Sequence, residues 1–254
     1  MRHDARRLQD VFGGARSAPR VNGVKEPSFV GTPDEAVRLP PSTARELTRH
    51  LGAIASCLHV LADGDRSLRE QVVTDLARTE LQRATCFVQG LQVLGEDPVL
   101  TRRSLRLVEL VQQALATLEP ERRLAGLEAA LDVSAIDVVV AGDERWLLAA
   151  LSGMGAAMLA VMQTYHVRGA RLGLGGSANS AAVTVELSQD VVTFPAGLLA
   201  RFFDPAWPDR PGGAIAAVPL LAAARIAELH GGRVEIAAGF RGGCRLSLTL
   251  PRAH

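Results

Sequence analysis

Between residues 42 and 95 the apolar side chains keep a rhythm that paired helices satisfy and strands do not. Leu47, Leu51, Ile54, Leu58 and Leu61 recur at alternating intervals of four and three, a heptad seam, and Pro41-Ser42-Thr43 offers an N-cap ahead of it. Asp63-Gly64-Asp65 marks a turn and Ser67 can cap a second helix. Leu68, Val72, Leu76, Leu91 and Leu94 then carry an apolar stripe until Gly95 stops it. The segment reads as an antiparallel helical hairpin. Two helices alone leave too much of this seam in water, so a homodimer through residues 42–95, closing a four-helix bundle, is expected.

The flanking segments read differently. Residues 1–41 hold Gly-Gly, Ser-Ala-Pro, Gly-Thr-Pro and Pro-Pro clusters without periodicity, the pattern of a flexible arm. Residues 100–251 alternate. Helices are predicted over 105–118 and 146–165, and strands over 137–141, 170–174, 182–187, 234–237 and 245–250. Gly173-Leu174-Gly175-Gly176 reads as a turn between two of those strands. The expected fold class is α + α/β: a helical hairpin over 42–96, then an α/β sandwich over 100–251.

Charge and composition exclude several functions. Lys plus Arg number 28 against 27 for Asp plus Glu, so no net field attracts nucleic acid or anionic lipid. The first 40 residues contain no apolar run of the kind a secretory signal needs. The uncharged run from Trp146 to Met162 lies at the short edge of the roughly 17 to 25 residues that span a bilayer, and its glycines and alanines suit a buried helix better. No membrane contact and a cytoplasmic location are therefore expected. Cys57, Cys86 and Cys244 form no CxxC pair. In a hairpin turning near residue 65, Cys86 lies roughly 20 Å beyond the level of Cys57, so three buried free thiols are expected, with neither disulfide nor metal site.

Three stretches together resemble the catalytic core of bacterial sensor histidine kinases. Arg225-Ile226-Ala227-Glu228-Leu229-His230-Gly231-Gly232, running through Val234-Glu235-Ile236 to Gly242-Gly243-Cys244 and Leu250-Pro251, is similar to that family's last helix, "HGG" turn and closing hairpin. Phe194-Pro195, Leu198-Leu199 and Arg201-Phe202-Phe203-Asp204-Pro205 resemble the stretch before its ATP lid. Gly142-Asp143-Glu144-Arg145-Trp146-Leu147 resembles the start of the helix that carries its magnesium-binding asparagine. With the hairpin, the resemblance covers residues 42–251. It implies a dimerisation and phosphotransfer hairpin followed by a histidine-kinase-like ATPase domain.

The positions that would carry the chemistry hold other residues. The family's phosphoacceptor motif aligns with Arg45-Glu46-Leu47-Thr48-Arg49-His50-Leu51-Gly52-Ala53-Ile54, which puts Arg45 at the acceptor. A guanidinium is cationic at working pH and takes no phosphoryl group. His50, about 140° around the helix from Arg45, and His59, two heptads on and back on the same stripe, remain as candidate acceptors. The two asparagine positions are Gly153 and Ala157, and Ser152 offers the one side-chain oxygen between Trp146 and Met162, whereas magnesium needs hard oxygen ligands. The adenine-binding aspartate motif aligns with Gln189-Asp190-Val191-Val192-Thr193, where Asp190 fits after a one-residue slip. The three phosphate-loop glycines align with Ile215, Ala217 and Pro219; Pro219 has no N–H to offer, and Gly212-Gly213 is the nearest glycine pair. Asp190, Gly212 and Gly213 are the remaining nucleotide-site candidates.

The resulting expectation is a histidine-kinase-like protein without kinase activity and without ATP or magnesium, binding a response regulator receiver or a partner kinase. Two alternatives stand beside it: a phosphotransfer protein using His50 or His59, and a diverged ATP-dependent kinase or nucleotide sensor.

Overall fold

Helix α1 (Ser42–Ala62) and helix α2 (Leu68–Gly95) form the hairpin. The computed structural model describes residues 28–30, 42–62, 68–96, 98–164, 170–191, 203, 213–239 and 243–253. Within one chain the hairpin buries a narrower face than the heptad seam. His50 and Cys57, one heptad apart, are buried, whereas Leu51 and Leu58 are 55% and 58% exposed.

The rest of the chain is an α/β sandwich. In chain order after the hairpin come β2 (Arg103–Arg106), α3 (Leu107–Ala125), β3 (Glu128–Leu131), β4 (Val139–Gly142) and α4 (Glu144–Thr164). Then come β5 (Arg171–Ala178), β6 (Ala182–Gln189), α5 (Gly213–Leu229), β7 (Arg233–Ala238) and β8 (Cys244–Pro251). Strand β1 (Ser28–Val30), before the hairpin, completes a six-stranded sheet ordered β1-β7-β8-β6-β5-β3; β2 and β4 pair separately. Only β3 and β5 run parallel in the large sheet. Burial alternates along β6 and β8, so Val183, Val185 and Leu187 line one face with Leu246, Leu248 and Leu250. Met154, Met158 and Met162 of α4 belong to the same core.

Helix α4 is apolar on most of its surface past Arg145 because neighbouring elements enclose most of it. Its run Glu144–Gln163 is long and apolar enough to cross a membrane, but 83% of its most apolar window is buried inside the fold. Helix α5 packs against α4 on one side and α2 on another. A glycine stands at each contact: a Cβ on Gly153 of α4 would lie 3.2 Å from the Pro219 carbonyl oxygen, and one on Gly90 of α2 would lie 3.0 Å from Val218.

Several elements depart from the sequence reading. Leu105 lies in β2 rather than in a helix, paired with Val140. Helix α3 runs on through Pro120 to Ala125, because residues beyond the proline are tied down: Glu121 to α2 and α4, and Arg122 to Glu119 and to the Leu127 carbonyl. It ends where Gly126 adopts φ +65°. Gly173 to Gly176 lie inside β5, and the turn is at Asn179, whose side chain accepts from the N–H groups of Ala181 and Ala182. Gly176 is required by close approach, since a Cβ there would collide with the Thr184 carbonyl oxygen and with Ile136. Ser28–Val30, placed by the sequence in a flexible arm, pair antiparallel with β7.

Candidate functional site

The docking hairpin presents its two histidines in opposite ways. The Nδ1–H of His50 donates to Glu80 Oε2 at 2.6 Å, and the imidazole is only 1% exposed. This corrects its placement among candidate phosphoacceptors. Its position one heptad before Cys57 turns it onto the face that packs on α2, where a receiver aspartate has no approach. His59 lies on the exposed surface of α1. Arg45 falls within α1, and its side chain is outside the described residues.

Behind His50 runs a buried polar chain that was not legible as a site. Glu80 also accepts from Arg83 Nη1 at 3.0 Å. Arg83 Nη2 reaches out of the hairpin to Glu121 Oε1 of α3 at 2.7 Å and Gln163 Oε1 of α4 at 2.6 Å. Gln163 Nε2 in turn donates to Glu121 Oε1 at 3.1 Å. About two turns before Arg83 on α2, buried Asp75 accepts from Arg123 of α3 at 3.2 Å. Burial works to raise the Glu80 carboxyl, but the His50 hydrogen bond and the Arg83 charge outweigh it and hold Glu80 below the usual carboxylate range. Burial wins at Glu121, which is held above that range despite Arg83. Asp75, Thr79 and Arg83 recur every four residues. This polar stripe on one face of α2 was the available signal.

Two of the nucleotide positions close on one another. Gly153, at the first asparagine position, is packed against Pro219, at the third phosphate-loop glycine position. Ala157 is buried, and Ser152 turns toward α3, with its Oγ 3.4 Å from that of Thr117. Ile215, Ala217 and Pro219 all lie within α5 rather than in a loop, so beyond its first turn the helix's own carbonyls hold its N–H groups. Gly213 is the first residue of α5, and Gly212 is outside the described residues. Asp190 is exposed at the end of β6. The Phe194–Pro205 landmark lies outside the described residues except for Phe203, which packs at the edge of the core. Among the described residues at these positions, Gly153 and Ala157 carry no oxygen for a magnesium ion and Pro219 has no N–H for a phosphate. Among the described residues no cluster of His, Cys, Asp or Glu is arranged for any other metal.

The retained motifs meet in a single structural contact. His230 Nδ1–H donates to the Ile226 carbonyl at 2.7 Å, leaving Nε2 to accept the Asp143 N–H at 3.0 Å. Asp143 in turn caps α4, accepting from Trp146 N–H at 3.3 Å through Oδ1 and from Thr101 N–H at 2.8 Å through Oδ2. The "GD" and "HGG" landmarks thereby join the ends of α4 and α5. All three cysteines are free and buried, and burial pushes the Cys86 and Cys244 thiols up to about 11 each. An open groove of about 400 Å³ lies between α2, α3 and α4, with Gln82, Gln89, Arg103 and Arg145 at its walls. Arg103 is already paired with Glu144 there.

No protein-family model and no curated protein matches the sequence. Solved structures do match. Full-length histidine kinase ShkA in complex with AMPPNP aligns with a TM-score of 0.57 and 17% identity, over 86% of this chain and 46% of that one. Histidine kinase ThkA in complex with response regulator protein TrrA gives 0.54 and 16%, over 83% of this chain and 60% of that one. Acinetobacter baumannii histidine kinase AdeS gives 0.51 and 12%, over 83% and 98%. The likeness establishes the fold as that of a histidine kinase core, a helical hairpin followed by the ATPase-type α/β domain.

Proposed function

We propose that this chain, with the fold of a histidine kinase core, acts in two-component signalling by binding proteins and not by transferring phosphate from ATP. The observation that carries the reading is the contact of Gly153 with Pro219. It fills with helix packing the place where the resemblance implies magnesium and phosphate. The hairpin keeps a surface for association: Leu51 and Leu58 on α1 and Val72 and Leu76 on α2 are exposed within one chain, and pairing with a second copy would cover them. A cytoplasmic homodimer that presents α1 to a response regulator receiver, as ThkA is found with TrrA, is the form this reading takes. A partner kinase is the other candidate occupant of the same surface.

Calorimetric titration with ATP, with and without magnesium, tests the reading. No saturable heat at millimolar nucleotide is expected, and saturable binding would overturn it. A second reading is favoured by the exposure of His59 on the acceptor stripe: phosphotransfer from one receiver aspartate to another through this imidazole. In that case His59→Ala abolishes transfer and His50→Ala leaves the chemistry itself intact; undiminished transfer in His59→Ala removes this reading.

A further inference from the structure

We propose that His50, Glu80, Arg83, Glu121 and Gln163 form an interdomain latch, which holds the helical hairpin and the α/β domain in one arrangement and opens as a unit. The chain of contacts crosses four helices. His50 on α1 meets Glu80 on α2 at 2.6 Å, Glu80 meets Arg83 at 3.0 Å, and Arg83 leaves the hairpin for Glu121 on α3 at 2.7 Å and Gln163 on α4 at 2.6 Å. Arg123 and Asp75 add a second crossing between α3 and α2 at 3.2 Å. Where two parts of a chain meet through desolvated charges, the charges fit only one relative placement, because a shift that separates them leaves each buried and unpaired.

The same seam carries an opposing cost. Glu121 Oε2, Arg83 Nε and Thr79 Oγ1 are buried without hydrogen-bond partners. Opening would return these atoms to water. Unsatisfied atoms beside strong pairs lower the net cost of separating the contact, which is what a switchable element needs.

The latch also gives His50 a role. It stands on the docking helix α1, yet its ring faces inward and forms the outer end of the chain. A receiver or kinase gripping α1 would therefore bear on the latch, and by reciprocity the latch would set the affinity of that partner. This last step rests on the proposed docking function. The latch itself does not, and its test uses no partner, so the two can fail separately.

Spin labels at Ser56→Cys on α1 and Ser180→Cys in the β5–β6 turn, both exposed positions, report the interdomain distance. The full-length labelled chain is diluted into unlabelled protein so that each molecule is read alone. One narrow distance distribution is expected for the otherwise native protein. A broadened distribution or a second maximum is expected for Arg83→Met. Glu121→Gln keeps the side-chain shape and should give the same shift in smaller degree, so it stands in if Arg83→Met does not fold. A broad native distribution, or an unchanged one in a folded variant, would overturn the latch. So would a shift equally produced by Arg106→Met, whose exposed ion pairs lie away from the seam.

Discussion

The backbone N–H of Asp143 donates to Nε2 of His230, 3.0 Å away, so the ring must be neutral at that nitrogen. Burial, the larger cause, holds its pKa below the ordinary 6.5, with Arg102 adding to the effect against the opposing Ile226 hydrogen bond and Asp143 charge. A histidine favoured neutral in the folded state contributes stability above about pH 6.5, lost as pH falls through its folded value. Urea unfolding should show the native protein losing stability through this group as the pH falls from 7 toward 5, and His230→Gln should be less stable at neutral pH but flatter. Glu121, raised by burial, contributes with the opposite sign. The difference between the two proteins therefore carries the result.

Restoring the first metal ligand should cost stability without restoring binding. Gly153→Asn places a side chain against Pro219, with the carbonyl oxygen 3.2 Å and the ring Cβ 3.3 Å from the new Cβ. Overpacking of this kind costs about 1–3 kcal/mol. Thermal unfolding should show the loss. Calorimetry of the same variant should show no magnesium-dependent nucleotide heat; a gain of such binding would mean that α4 and α5 separate readily.

Charges placed on the outer face of α1 should separate the proposed dimer. Leu51 and Leu58 are exposed in the single chain, so Leu51→Glu with Leu58→Glu should scarcely disturb the monomer's fold. Two like charges from each chain brought into an apolar seam should shift the species seen by light scattering from dimer to monomer. An unchanged dimer would place the association surface elsewhere.

The thiols should be silent until the protein unfolds. Cys86 and Cys244 are buried with thiols near 11, and Cys57 is buried beside α2. Reaction with a disulfide reagent at about pH 8 should be slow in the native protein and fast for all three in denaturant, since the thiolate is the reactive form. A rapidly reacting native thiol would reveal local opening of its segment.

The hairpin and the sandwich were legible because their signals are periodic. Leu47 to Leu61 show the heptad, and apolar and polar residues alternate from Val183 to Ser188 in β6 and from Cys244 to Leu250 in β8. What the sequence misplaced depends on contacts between distant residues. Periodicity cannot tell that Leu51, within the seam, faces out while His50, beside it, faces in, because packing on α2 decides between them. Gly173 to Gly176 carry the composition of a turn. The missing side chains of Gly173 and Gly176 instead admit the close approach of β6, and that of Gly176 also Ile136, distant in sequence. Gly153 and Pro219 looked like two separate losses of chemistry, and only the fold shows them to be one contact. The polar chain through Arg83 was hidden because charges on a helix ordinarily mark its wet side.

Ser28–Val30 supply the outermost strand of the large sheet, hydrogen-bonded along β7 with Phe29 opposite Ile236. A protein shortened to begin at the hairpin would therefore lose more than a tail. The outer backbone donors and acceptors of β7 would be bared, and a bared sheet margin recruits strands from neighbouring molecules. Such a protein would acquire a route to self-association unrelated to helical bundling. Its oligomers would then report on strand recruitment as much as on α1 and α2.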